Sequence, residues 1–202
     1  MELLMSRALD NQLSREALET TALVQRTLEG DCEAFEQIVL RHERRVMNLS
    51  LRLLGTIGDA QDATQEVFLR AFKYLHRLDT AKPLEPWLVR ITVNVCRDFL
   101  RKSRRRRATF SDGPPSDVEL RSASPDPYSG FAWKQQRQML WKAIDSLPEK
   151  VRMAVILRDV EGFTTAETAQ ILHSSEVTVR SQICRGRLKV REILENMTGE
   201  RK

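Results

Sequence analysis

Thr164 to Ile193 read TTAETAQILHSSEVTVRSQICRGRLKVREI, and this stretch decides what kind of fold the chain has. Thr164 and Glu167 stand three residues apart beside an apolar series, Ala166, Ala169 and Leu172. That spacing makes a capping box, in which the Thr hydroxyl and the Glu carboxylate satisfy backbone N–H groups left free by a first helical turn. A short helix starts there, and His173 with Ser174 breaks it. Ser175 caps a second helix with Val179, Ile183, Gly186, Val190 and Ile193 on its inner face. Thr178, Arg180, Ser181, Cys184 and Arg185 fall on its outer face or flanks. The pattern is a helix-turn-helix. Its second helix offers short hydroxyls and guanidinium groups near its N-terminus, the chemistry that reads base edges and phosphates in a major groove. An ordinary helical hairpin with a solvated basic face fits the same spacing.

Outward from this motif the apolar spacing stays helical. Phe35, Ile38, Val39, His42, Val46, Leu49 and Leu53 recur at steps of three and four, with Gly55 and Gly58 as a stop. The spacing predicts a second helix over about 59–78, buried along Ala60, Ala63, Val67, Ala71, Leu75 and Leu78. A third begins at Pro86, whose missing N–H costs nothing in a first turn, and carries Leu88, Ile91, Val95 and Phe99. No segment alternates as a strand would, and 8 Gly and 7 Pro in 202 residues are too few for the turns of a sandwich or barrel. Residues 111–130 contain five Ser and four Pro with few large apolar side chains. Such a segment cannot bury enough surface to offset the entropy of ordering. The expected fold class is all-α, with two small helical domains at 22–107 and 131–202 and a flexible linker over 108–130. The C-terminal domain contains the helix-turn-helix, and residues 1–21 form an N-terminal extension.

The chain has 33 Lys and Arg against 28 Asp and Glu, a formal net charge of +5. Arg97, Arg101, Lys102, Arg104, Arg105, Arg106 and Arg107 stand against one acid, Asp98, so this run alone carries +6. Clustered cations displace the counterions condensed on nucleic-acid phosphates, which points to a polyanion partner. An anionic membrane surface is the competing reading. Trp87, Asn94 and Arg101 recur every seven residues beside the run. An aromatic plane, an amide for a base edge and cations for the backbone are the parts of a single-strand binding surface, while Trp87 taken alone is a core anchor. Asp59, Asp62, Gln65 and Glu66 cluster near the start of the second helix, where acids suit the helix dipole. They read as a well-capped, solvated helix start or as an acidic docking face for a basic partner. No paired His, Cys or phosphate-binding loop stands with them to support catalysis. Cys32, Cys96 and Cys184 are odd in number and far apart, and His42, His76 and His173 have no zinc-site spacing. The expectation is a reduced, cytoplasmic chain with no metal and no cofactor, and no apolar run is long enough for a membrane span or an export signal.

Four segments carry a family resemblance: DAQDATQEVFLRAFKYL from Asp59, PWLVRITVNVCRDFLR from Pro86, LPEKVRMAVILRDVEGFTTAETAQIL from Leu147 and TVRSQICRGRLKVRE from Thr178. In this order around a Pro/Ser-rich linker, they resemble the extracytoplasmic-function class of bacterial sigma factors and cover most of both domains. The resemblance implies a non-enzymatic subunit that binds core RNA polymerase, directs it to promoters and helps melt the minus-ten region. It implies docking of Asp59, Asp62, Gln65 and Glu66 on the clamp helices of the largest subunit, with the beta flap as a further contact. It assigns the minus-ten element to the loop from Asp79 to Glu85 and the third helix, through Asp79, Lys82, Glu85, Trp87, Asn94, Arg97, Arg101, Arg104 and Arg105. The minus-thirty-five element falls to Thr165, Thr178, Arg180, Ser181, Arg185 and Arg187; by position along the helix, Arg180 and Ser181 are expected nearest the bases and Arg185 and Arg187 on the backbone. An anti-sigma factor is implied as a partner; membrane insertion and an obligate homo-oligomer are not. The turn departs from the family pattern at His173, where Gly is common, at Ser174, where an apolar residue usually packs, and at Val177, where another Gly is frequent. These positions bear on the angle of the recognition helix, and His173 suits the turn because His tolerates left-handed φ better than a β-branched residue does.

Two other functions use parts of the same pattern. An autonomous dimeric repressor or activator would share the helix-turn-helix but needs a second apolar face, and no spare heptad stripe is present. A nuclease needs a clustered metal or nucleophile site, and none is visible. Only the sigma-factor reading requires core RNA polymerase as a partner.

Overall fold

The computed structural model describes residues 18–80, 82–109 and 131–198, and no strand occurs among them. Helix α1 covers 18–28, α2 Cys32–Leu54 and α3 Ile57–Tyr74, followed by a 3₁₀ turn, Leu75–Arg77, and α4, Leu84–Thr109. The second half holds α5, Phe131–Asp145, and α6, Glu149–Val155, which runs into a π-helical turn, Ile156–Val160. Then come α7, Thr165–Leu172, and α8, Glu176–Thr198.

Each start and stop has a local cause. The Asp31 carboxylate accepts from the Ala34 N–H at 3.1 Å and so caps α2. That bond and the Arg26 guanidinium hold its pKa below the usual carboxylate range. Gly55 takes a left-handed φ of 83° and donates its N–H to the Leu51 carbonyl at 2.8 Å, ending α2. Gly58, expected to share in that stop, lies inside α3 instead. Thr56 accepts from the Asp59 N–H, so α3 begins at Ile57, earlier than apolar spacing indicated. Its α-helical bonding ends at Tyr74, and the 3₁₀ turn carries Leu75 into the core. Helix α4 begins at Leu84, which places Pro86 within its first turn, and runs past the expected domain end at 107. The expected extension up to residue 17 and the expected linker from 110 to 130 lie outside the described residues.

Helices α2, α3 and α4 pack around Leu49, Leu53, Val67, Phe68, Leu88 and Val93. The α3 stripe read from the sequence, Ala60 through Leu78, is buried at every position. Helix α1 adds a smaller cluster in which Leu23 and Val24 meet Ile38, Leu75 and Leu84. In the second half α8 lies against α5, α6 and α7.

The two halves share a core, which the linker in the sequence gave no reason to expect. Ile144, Met153, Ile156, Leu157, Phe163 and Ile171 belong to the same apolar cluster as Leu49, Leu53, Leu88 and Val93, and α7 touches α4. The physical reason is a second apolar stripe on α4, Val89, Val93, Cys96 and Leu100, beside the first; a helix apolar on two sides buries more than one face. Burial also pushes the Cys96 thiol up to about 12, so it stays protonated. Polar contacts ring this junction. Arg52 pairs with Glu161, Arg152 donates to the Leu53 carbonyl at 3.2 Å, and Arg104 pairs with Glu149 at 3.1 Å.

Candidate nucleic-acid and partner interface

On α3 the structure separates the four polar residues read as one docking cluster. Asp59 is engaged at the helix start, where its carboxylate accepts the Thr56 hydroxyl at 2.8 Å. Glu66 accepts from Arg70 at 2.7 Å, and Arg70 reaches on to Asp98 of α4 at 3.0 Å. Burial works against the Arg70 charge, and these two carboxylates outweigh it, leaving its pKa raised. Asp62 and Gln65 are exposed. Continuing their line at helical spacing are Leu69, 67% exposed, and Phe72, 53% exposed. Phe72 is steadied edge-on by the Phe35 ring, with centroids 4.9 Å apart. The result is an exposed strip, Asp62, Gln65, Leu69 and Phe72, acidic at one end and apolar at the other. Leu69 was missed because it lies off the core stripe; its being a large apolar residue at a predicted surface position is the signal that could have found it.

Around the start of α4, Asp79 and Lys82 form a turn, with the Lys82 N–H donating to the Asp79 carbonyl at 2.8 Å and the side chains paired at 3.1 Å. Glu85 pairs with Arg45 of α2. Trp87 is half-buried and packs against both the core shared by the two halves and the smaller α1 cluster, so it anchors the helix start. Asn94, also half-buried, lies ~10 Å further along the axis. Arg97 is partly exposed and Arg101, Arg104 and Arg105 are exposed, with Arg104 held by Glu149. Arg106 and Arg107 continue the helix, their side chains outside the described residues. Arg90 was not anticipated. It sits between Trp87 and Asn94, its Nε buried without a hydrogen-bond partner, and lines a groove against Gln170, His173 and Ser174 of the C-terminal turn.

The helix-turn-helix has the geometry read from its sequence. Thr164 accepts from the Glu167 N–H at 3.2 Å while the Glu167 carboxylate accepts the Thr164 N–H at 2.7 Å, completing the capping box. The Thr164 backbone bond, with its hydroxyl, holds the Glu167 pKa low. His173 takes φ 51°, ψ 50°, and the Ser174 N–H reaches back to the Ala169 carbonyl at 2.9 Å, which fixes the turn. Ser175 accepts from the Thr178 N–H at 3.2 Å and caps α8. Val179 and Ile183 are buried, whereas Thr178, Arg180, Ser181, Cys184 and Arg185 are exposed. Thr165 is half-exposed at the start of α7. Arg187 differs from its neighbours: its guanidinium holds both oxygens of Asp159, at 3.0 and 2.5 Å. Val177, 73% exposed on the first turn of α8, is an apolar contact in reach of the same surface as Thr178 and Arg180. Among the described residues no group of three or more His, Cys, Asp or Glu could hold a metal, and no helix is long and apolar enough to cross a membrane.

Comparison with known proteins finds one family model in each half of the chain. The family model described as Sigma-70 region 2 matches residues 38–106, and that described as Sigma-70, region 4 matches 137–190. The chain is 33% identical over 183 residues to the ECF RNA polymerase sigma-E factor of Escherichia coli strain K12, an alignment spanning 85% of this chain and 92% of that relative. It is 35% identical over 168 residues to the ECF RNA polymerase sigma factor SigE of Mycolicibacterium smegmatis, spanning 83% and 64%. Two solved structures share the fold. Sigma factor RpoE in complex with the anti-sigma factor NepR from Bartonella quintana has a TM-score of 0.63 at 24% identity, over 80% of this chain and 96% of that one. CnrH in complex with the cytosolic domain of CnrY has a TM-score of 0.61 at 23% identity, over 88% and 98%. A region-2 bundle and a region-4 helix-turn-helix, in this order and at this identity to curated relatives, mean that the chain belongs to the extracytoplasmic-function family of RNA polymerase sigma factors.

Proposed function

We propose that this sigma factor, itself without catalytic activity, docks on core RNA polymerase through the α3 strip, reads the minus-thirty-five element with α8, and captures unpaired minus-ten bases beside Trp87 and Asn94. The observation that carries the reading is the pairing, in one chain, of an exposed acidic and apolar strip on α3 with an exposed Thr178, Arg180, Ser181 and Arg185 surface on a capped helix. Protein docking faces combine a central apolar patch with a charged rim, as Leu69 and Phe72 with Asp62 do here. For the largest subunit of the polymerase this is the clamp-helix surface, with the beta flap as the second contact of the holoenzyme. Opening a duplex costs a few kcal/mol per unstacked base, so a melting protein must offer a site that repays it on the base's pairing edge. The Asn94 amide has both a donor and an acceptor for that edge, and Arg97, Arg101 and Arg105 would hold flanking phosphates, joined by Arg104 once it leaves Glu149.

The chain works in the cytoplasm on promoter DNA as one copy per polymerase, in regions at residues 22–107 and 131–202. An anti-sigma factor is its expected restraint, supported by relatives of the same fold whose structures hold NepR or the cytosolic domain of CnrY. The deciding experiment is a pull-down of purified chain with core RNA polymerase, followed by footprinting of the reconstituted holoenzyme. Core binding and a footprint covering upstream and minus-ten DNA are expected. Binding to duplex DNA as a free dimer, without the polymerase, would replace this reading with that of an autonomous regulator.

A further inference from the structure

The outer face of α8 carries a strip without formal charge. Val179, Ile183 and Gly186 mark the face of this helix that is buried. Opposite them, at 3.6 residues per turn, fall Val177, Ser181, Cys184 and Leu188, all within ~60° of one another around the axis. The four are exposed, Val177 by 73% and Leu188 by 63%. Arg180 borders the strip on one side and Arg185 on the other, both exposed. Arg180 is tied only loosely, its guanidinium standing 4.0 Å from the Glu176 carboxylate. Thr178 is turned to the cap, with its hydroxyl 2.8 Å from that of Ser175 and its N–H donating to the same oxygen. Val177 is therefore the large apolar side chain of the first turn, and the described residues leave it uncovered.

We infer that Val177 is a specificity-determining contact of the recognition helix, selecting a thymine in the minus-thirty-five element by packing on its C5-methyl. The inference deepens the proposed function and rests on it. Thymine presents the one methyl group that the four unmodified bases offer in the major groove, and an apolar side chain is its natural partner. The N-terminal residues of a recognition helix are those that reach base edges, and Val177 is the second residue of α8. A strip without charge can approach the groove floor, while the arginines at its borders turn to guanine edges or to phosphates on the walls. Glu176 gives a separate reason to place this turn over bases rather than backbone: its carboxylate, beside Val177, repels phosphate. The contact also costs little ordering, because a helical Val holds one strongly preferred rotamer before any DNA arrives. Arg180 and Ser181 can read hydrogen-bonding edges, but neither answers a methyl group, and Val177 supplies what they lack.

The test uses holoenzyme reconstituted from the full chain and core RNA polymerase. A bound sequence is first selected from duplexes randomised across the upstream and minus-ten segments. Each thymine of the selected upstream element, on either strand, is then replaced singly by deoxyuridine, which keeps the pairing and lacks only the methyl. At one thymine the replacement is expected to weaken wild-type binding about fourfold, the worth of one buried methyl group. Val177→Ala holoenzyme is expected to bind the thymine duplex about fourfold more weakly and to be indifferent to deoxyuridine at that position, while keeping the wild-type response at every other. Its core binding should equal that of wild type, since the side chain is exposed. Wild-type indifference to every replacement, or a Val177→Ala holoenzyme that discriminates as wild type does, overturns the contact. Equal affinity of variant and wild type for the thymine duplex overturns it in favour of an apolar protein surface on the strip. Failure of the wild-type chain to bind core polymerase or to select any upstream sequence would instead remove the functional reading beneath it, so the two failures are distinguishable.

Discussion

Gly186 lies in the middle of α8, buried where that helix meets α6 and Leu147 ahead of it. A Cβ placed there would stand 2.5 Å from Cγ2 of Val155, 3.0 Å from Cγ1 of Val151 and 3.7 Å from Cδ1 of Leu147. Two opposed effects decide the outcome of Gly186→Ala. Alanine is the better helix former by about 1 kcal/mol, which on an exposed helix would raise stability. Against that, contacts below 3.0 Å require movement, and the obstructing atoms belong to β-branched valines that have few rotamers to retreat into. The helix must back away by roughly 1 Å, and such overpacking costs typically 1–3 kcal/mol. Taking the upper end, because the closest contact is so short, the net loss is about 2 kcal/mol, or a melting temperature lower by about 4–8 °C for a chain of this size. Gly58→Ala is the matched control: a Cβ at Gly58 meets nothing within 4 Å, so the substitution should be neutral or stabilising by up to ~1 kcal/mol. Thermal melting of both variants, followed by circular dichroism, checks the pair. A Gly186→Ala protein that melts at or above wild type would show that α8 does not need this close approach. Since Gly186 also sets the distance of the recognition helix from α6, the same variant should footprint more weakly on upstream promoter DNA than Gly58→Ala does.

Further expectations attach to single residues. Asp62→Arg and Leu69→Ser should each weaken core polymerase binding in a competition assay at least tenfold, with melting temperatures nearly unchanged because both side chains are exposed; Asp62 is a cleaner choice than Glu66, whose loss would also release Arg70. Arg180→Ala should cost about 1–3 kcal/mol of discrimination at one base position if it reads a base edge, whereas Arg185→Ala should weaken all sequences alike and reduce the salt slope. Asn94→Ala should leave core binding and closed-complex formation intact and selectively lower permanganate reactivity of unpaired thymines; normal opening would refute base capture by Asn94. Burial holds the His42 pKa below its ordinary 6.5, against the pull of Glu85 and with the help of Arg45 and Arg41. Its folded form binds protons less readily than the unfolded chain, so stability is full above about pH 6.5 and falls as pH drops below it. His42→Gln should flatten the melting temperature between pH 7 and 5.5, and a slope equal to wild type would assign the pH dependence elsewhere.

How far the sequence revealed the site depended on whether the deciding interaction was local. The capping box at Thr164, the Ser175 cap and the left-handed His173 involve residues three to five apart, and their geometry follows from backbone donors that any helix end leaves unsatisfied. The α3 core stripe was equally legible, because burial on one face imposes a period. Arg187 illustrates what local reading could not supply. Its position on α8 marks it as a backbone contact, but only the fold brings Asp159 against it across 28 residues. To touch a phosphate it must exchange that carboxylate, so its alanine variant would report both losses together. Arg90 and Glu161 were invisible for the same reason: each owes its position to contact between halves joined by a segment of low apolar content, and no periodicity records a contact of that kind.

The contact between halves also has an energetic asymmetry that suits release. Arg52 is about a third exposed and Glu161 nearly buried, so most of the desolvation in this pair falls on the carboxylate. When the halves part, Glu161 and Arg52 both regain water, so neither stands unpaired in a low-dielectric site. Breaking the pair therefore costs much less than removing one partner from an intact junction, where the orphaned charge would stay buried. What holds the halves together is then mainly apolar: Ile156, Leu157, Phe163 and Ile171 against the cluster built by α2, α3 and α4. That division of labour predicts different salt responses for the two kinds of contact. Salt weakens the ion pair to the extent that Arg52 reaches solvent, and leaves the apolar part intact. A partner that competes for the apolar surface, as a folded protein can and a strand of DNA cannot, is therefore the more effective agent of opening.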